Sequence, residues 1–182
     1  MQINLPAIPG ISFDLNWFLG DIEDVDGIKR YKGEYCMSKL FDVLNQVVAT
    51  QNVLYIRLHQ FHFYVKGPHF FTLHEKWEEM YHEVTADMDE VAERLIQLGG
   101  EPVATLQESL DQSVIKENQA DKNLSDREMV EATLEDLKAY RDLAIEARKN
   151  AEEEEDEVTV DIFVDLQSRI DLTIWFFEAW LS

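Results

Sequence analysis

Residues 58–102 read LHQFHFYVKGPHFFTLHEKWEEMYHEVTADMDEVAERLIQLGGEP. Gly67-Pro68 divides this stretch into two helical segments, and Gly99-Gly100 followed by Pro102 stops the second. The stretch also holds five potential metal ligands: His62, His74, Glu78, Asp89 and Glu93. His74 and Glu78 are spaced i,i+4, and so are Asp89 and Glu93, so each pair shares one face of a helix. Glu78 and Asp89 are eleven residues apart, close to three full turns, so both pairs look the same way. Yet about 16 Å of helix axis separates them at a rise of 1.5 Å per residue. Two pairs of one chain therefore cannot hold the same ion. A second copy of the hairpin, running antiparallel across a two-fold axis, would bring them together. The spacing predicts a metal site shared between subunits.

The helical period continues on both sides. Leu40, Val43, Leu44, Val47, Leu54, Leu58 and Phe61 place a first helix over Met37 to Lys66. A second helix opens at a capping box, Thr72 as N-cap with Glu75 three residues on. Its apolar side is Leu73, Trp77, Met80, Tyr81, Val84, Met88, Val91, Leu95 and Leu98. The connection that follows is long, about 25 residues, with a short helix expected near 105–110. Ser125 with Glu128 caps a third helix reaching Asn150. A fourth begins near Thr159 and carries Val160, Phe163, Ile170, Ile174, Phe177 and Leu181. No segment reads as a convincing β-sheet. The expected class is all-α, a four-helix bundle with a short helix in its long B-to-C connection.

Residues 1–36 read as an N-terminal extension to a body over 37–182. The extension holds two of the four prolines, and Phe13, Trp17 and Phe18 suggest a short helix that docks on the body or a neighbour. Asp21, Glu23, Asp24 and Asp26 before Gly27 have the wrong register for a calcium loop and read as a solvated acidic turn. At 182 residues with 46% hydrophobic content, the chain can bury a substantial core. Its net charge of −21 argues against wrapping a nucleic-acid backbone and suits the collection of cations. Cys36 is the only cysteine, no membrane span is evident and the N-terminus lacks a basic leader, so the reading is a cytoplasmic protein.

Imidazoles and carboxylates suit iron, and they leave positions open for an oxidant. The di-iron site of an ordinary bundle needs two Glu-x-x-His motifs. Glu79-Met80-Tyr81-His82 supplies one, but the third and fourth helices contain no histidine. The stretch 58–102, with EDEVTVDIFVDLQSRIDLTIWFFEAWL near the C-terminus, resembles the Dps family of mini-ferritins.

That resemblance implies a ferritin-like fold in a dodecamer, a homo-oligomeric hollow shell with ferroxidase centres at its dimer two-folds. His62, His74 and Glu78 would come from one subunit and Asp89 and Glu93 from its partner. Fe(II) would be oxidised there, preferably by hydrogen peroxide, and stored inside as Fe(III) mineral. Glu152, Glu157 and Asp161 would line acidic pores at the three-fold axes. The family usually has Asp at the position of Glu78 and Trp at that of Phe63. The longer carboxylate leaves open a non-catalytic shell of the same fold, and the aromatic N-terminal segment leaves open an interaction module. Each site residue also has a plainer reading, as an i,i+4 surface pair or as part of a solvated acidic run. His59, His69 and His82 read as structural or surface histidines, and Trp175 and Trp180 as core or interface aromatics. DNA binding in the family rests on basic termini. Here residues 1–36 carry six acidic side chains against Lys29, Arg30 and Lys32, so DNA binding is not expected.

Overall fold

The apolar spacing is realised as four long helices in a computed structural model that describes residues 22–25 and 28–182. α1 (Lys32–Tyr64) and α2 (Phe70–Gln97) form one hairpin. A long connection holds α3 (Leu106–Gln112) and a 3-10 turn (Gln119–Asn123). α4 (Asp126–Glu153) and α5 (Glu157–Leu181) form the second hairpin. α1 packs on α2 and on α4, and the connection crosses the bundle against α1. The core residues expected on α1 are all buried, as are Trp77, Met80, Val91, Phe163, Ile170, Ile174 and Phe177. Trp175 lies 60% exposed, so it is no core residue of the single chain.

Helix ends follow local chemistry. Thr105–Glu108 and Ser125–Glu128 each make a reciprocal capping box, opening α3 and α4. Gly99 takes φ +89°, which lets its N–H donate to Ile96 and that of Gly100 to Leu95, both 2.9 Å. This is the Schellman closure that the paired glycines announce. The capping box expected at Thr72 is not formed. Pro68 and the turn at Gly67 (φ +105°) start α2 earlier, with His69 as N-cap. Thr72 is thus inside the first turn, and its hydroxyl donates back to the His69 carbonyl at 3.1 Å.

A second departure lies before the bundle. Ile22–Val25 (β1) and Ile28–Tyr31 (β2) pair antiparallel, with Val25 opposite Ile28. Asp26-Gly27 separates the strands, and Asp-Gly is a preferred hairpin dipeptide, so the signal was present beneath the acidic-turn reading. The bundle itself remains all-α. The segment around Phe13, Trp17 and Phe18 lies outside the described residues.

Polar pairs tie the helices at depth. Arg57, 5% exposed, donates from Nε to Asp136 at 2.5 Å and from Nη1 to Asp121 at 2.8 Å. It thereby joins α1 to α4 and to the 3-10 turn. Trp77 donates to Thr133 at 3.1 Å, and Gln51 to the Tyr140 hydroxyl at 2.7 Å.

Near the far end of α2, Arg94 donates two bonds to Asp156, at 2.7 and 2.9 Å, and one to Thr159 at 2.9 Å. Asp156 also caps α5, accepting from the Thr159 N–H at 3.2 Å. Burial works to raise the Asp156 carboxyl, but the Arg94 and Thr159 bonds outweigh it and hold it below the usual carboxylate range. A lowered folded-state value adds stability that is complete above that range and fades as pH falls through the folded value. Arg94→Leu should therefore be less stable than the parent at about pH 7, with the gap narrowing towards about pH 3 in urea unfolding. A gap independent of pH would show that the pair contributes no charge interaction.

Candidate metal centre

The α1–α2 crossing places two histidines face to face. Their ring centroids lie 3.6 Å apart with planes 18° from parallel. His62 Nδ1 bonds the carbonyl of His74 at 2.8 Å, and His74 Nδ1 bonds the carbonyl of His62 at 2.9 Å. A carbonyl only accepts, so each Nδ1 carries the proton and donates it. In the uncharged ring the lone pair is then on Nε2, the arrangement that metal-ligating histidines use. Phe70 also stacks on His74, with centroids 4.9 Å apart. Glu78, one turn along α2, completes the group: one ligand atom from each of His62, His74 and Glu78 falls within 4.8 Å of the others. No other group of this kind occurs among the described residues.

Asp89 and Glu93 are exposed farther along α2 and take no part in that group. They border one shallow surface depression together with Ala86, Glu90 and Arg94. The structure thus gathers three of the five predicted ligands in one chain and leaves the i,i+4 carboxylate pair facing outward. Glu152, Glu157 and Asp161 are exposed about the α4–α5 turn, with Glu152 accepting from Arg148 at 3.2 Å. His69 bonds Asp126 at 2.8 Å and Glu79 takes Lys76 at 3.0 Å, so both have structural partners. His59 bonds the Tyr55 carbonyl at 2.9 Å and His82 is exposed.

One residue beside the site was read only as apolar. Tyr81 stacks on His59 with centroids 3.8 Å apart and stands edge-on to His62 at 5.4 Å. Its place was legible, because Tyr81 is three residues beyond Glu78 and seven beyond His74, on their face of the helix.

The ferritin-like domain family matches residues 41–182. The DNA protection during starvation protein 2 of Bacillus anthracis is 41% identical over 147 residues, covering 79% of this chain and 97% of that protein. The chain belongs to the Dps family of ferritin-like proteins. Among solved structures, Dps from Staphylococcus aureus is 41% identical with a TM-score of 0.76, covering 80% of this chain and 96% of that one. Dps from Bacillus brevis is 38% identical with a TM-score of 0.78, covering 81% and 98%. These Dps chains are matched almost end to end, whereas about a fifth of this chain lies beyond the match. Among the described residues no helix is long and apolar enough to cross a membrane.

Proposed function

We propose that this protein is an iron-storing ferroxidase, a cytoplasmic dodecamer that oxidises Fe(II) at centres shared between subunits and keeps Fe(III) mineral inside its shell. The crossed hydrogen bonds of His62 and His74 carry the reading. They leave Nε2 of both rings free to ligate, in a group whose ligand atoms, Glu78 included, lie within 4.8 Å of one another. A mixed imidazole and carboxylate set suits Fe(II). Asp89 and Glu93 of a second copy complete the set, which accounts for their outward placement. The added methylene of Glu78 does not remove its carboxylate from the group, which favours a working centre over an impaired shell.

Fe(II) is the substrate and hydrogen peroxide the preferred oxidant. Each peroxide takes one electron from each of two Fe(II) and, with two protons, leaves as two waters. Spending peroxide on bound iron keeps the pair from generating hydroxyl radical in solution. Glu152, Glu157 and Asp161, repeated around a three-fold axis, draw the cation in. Anaerobic Fe(II) titration followed by peroxide tests the reading through the rise of Fe(III) absorbance. Asp89→Ala with Glu93→Ala should slow that rise at least about tenfold, the lower bound for disturbing even the supports of metal ligands. Equal slow rates in parent and variant would leave a shell without an oxidation centre.

DNA is not a partner on this reading, despite the names of the relatives. A net charge of −21 repels phosphate rather than replacing its counterions. Plasmid mixed with the protein and a chelator should run unretarded in a gel at physiological salt. Retardation there would overturn this part of the proposal.

A further inference from the structure

The Glu78 side chain has one more rotatable bond than an aspartate would have there, so something must confine its carboxylate if it is to serve the centre. The residue placed to do so is Tyr81. It lies three positions along α2, on the same face. Its ring is held from two sides: His59 stacks on it at 3.8 Å, and His62 meets it edge-on at 5.4 Å with planes at 90°. His59 is itself fixed by its 2.9 Å bond to the Tyr55 carbonyl, one turn earlier on α1. Tyr55 adds an edge contact to Tyr81 at 6.1 Å. The ring therefore cannot swing away without breaking contacts on α1. The Tyr81 ring and the Glu78 carboxylate thus both lie beside His62, and the two side chains interact.

We propose that Tyr81 is a positioning residue of this centre, its hydroxyl holding the Glu78 carboxylate beside His62 and His74 so that the longer side chain binds metal as a confined ligand. The inference rests on the proposed metal function of the same site and gives that site a non-ligating member. It also gives His59 a task, as the ring on which the tyrosine is seated. A hydrogen bond to a charged group is strong enough to matter for affinity.

The test uses Co(II) alone under anaerobic conditions, read by titration and by its visible absorption bands, so no turnover is involved. Four proteins are compared: the parent, Tyr81→Phe, Glu78→Asp, and the double variant. Tyr81→Phe keeps the ring and its stacking on His59 and removes only the hydroxyl. It should weaken Co(II) binding about tenfold and alter the bands, in line with the loss of a charged hydrogen bond. In the Glu78→Asp background the same change should cost less than about twofold, because the shorter carboxylate no longer depends on the hydroxyl. Equal losses in both backgrounds, or none in the parent, would overturn the role of Tyr81 while leaving the metal site standing. A parent that binds no Co(II) would overturn both.

Discussion

Co-assembled subunits, one kind carrying His62→Ala with His74→Ala and the other Asp89→Ala with Glu93→Ala, should recover about one quarter of the parental iron oxidation although each variant alone is slowed at least about tenfold. The arithmetic follows from a shared site on a two-fold axis. With random pairing, half of the dimers are mixed. Each mixed dimer has one centre stripped of all four residues and one that is fully intact, so a quarter of all centres survive. A site built within a single chain gives a different result, because no subunit in the mixture then has a complete set and nothing is recovered. The experiment reads directly on the outward placement of Asp89 and Glu93 away from His62, His74 and Glu78. Activity is measured on co-expressed, tag-separated assemblies, with equal shell formation checked by light scattering. Zero recovery from well-formed mixed shells would refute the shared centre.

Arg57→Leu is expected to be the most damaging single change to the fold, costing about 3–5 kcal/mol, as when one partner of a buried ion pair is removed. Arg57 sits at 5% exposure between Asp136 and Asp121, with its guanidinium 5.2 Å from the Phe61 ring centre. Leucine fills much of the volume but leaves Asp136 without its cation. Burial pushes Asp136 up to about 6 even with Arg57 beside it. A raised folded-state carboxyl adds stability that is complete below the usual carboxylate range and lost as pH rises through the folded value. Removing Arg57 takes away the chief influence lowering that value, so the loss continues to higher pH. The variant should thus lie closer to the parent near about pH 5 than near about pH 8 in urea unfolding. A penalty that does not grow with pH would show that Asp136 is not the charge left stranded.

Much of this arrangement was legible because the bundle and the ligands obey the same helical period. Leu40 to Phe61 and Leu73 to Leu95 mark the buried faces of α1 and α2, and the ligand pairs fall on that register. The capping box at Ser125, and the glycines at 99 and 100, mark ends because their chemistry is local. Thr72 misled for the same reason: its spacing to Glu75 satisfies the motif, but the turn at Gly67-Pro68 had already begun the helix. The pairing of β1 with β2 was hidden by the charge around the Asp26-Gly27 dipeptide. The Arg57 cluster could not be read at all, since its partners lie 64 and 79 residues away and no periodic pattern links them. Tyr81 was placed correctly on its helix face, yet its neighbours His59 and His62 belong to α1, and only the crossing of the two helices brings them together.

Because each imidazole at the centre is oriented by the backbone of the opposite helix, the donor pair belongs to the joint between α1 and α2 rather than to either helix. The alignment of the site is consequently hostage to whatever sets the gap at that joint. Phe61 and Trp77, packed at 5.6 Å between ring centres in the core behind it, are its spacers. Drift in these sequence positions would detune the proposed iron chemistry in a protein whose ligands had all been retained, and a comparison of ligand residues alone would miss it.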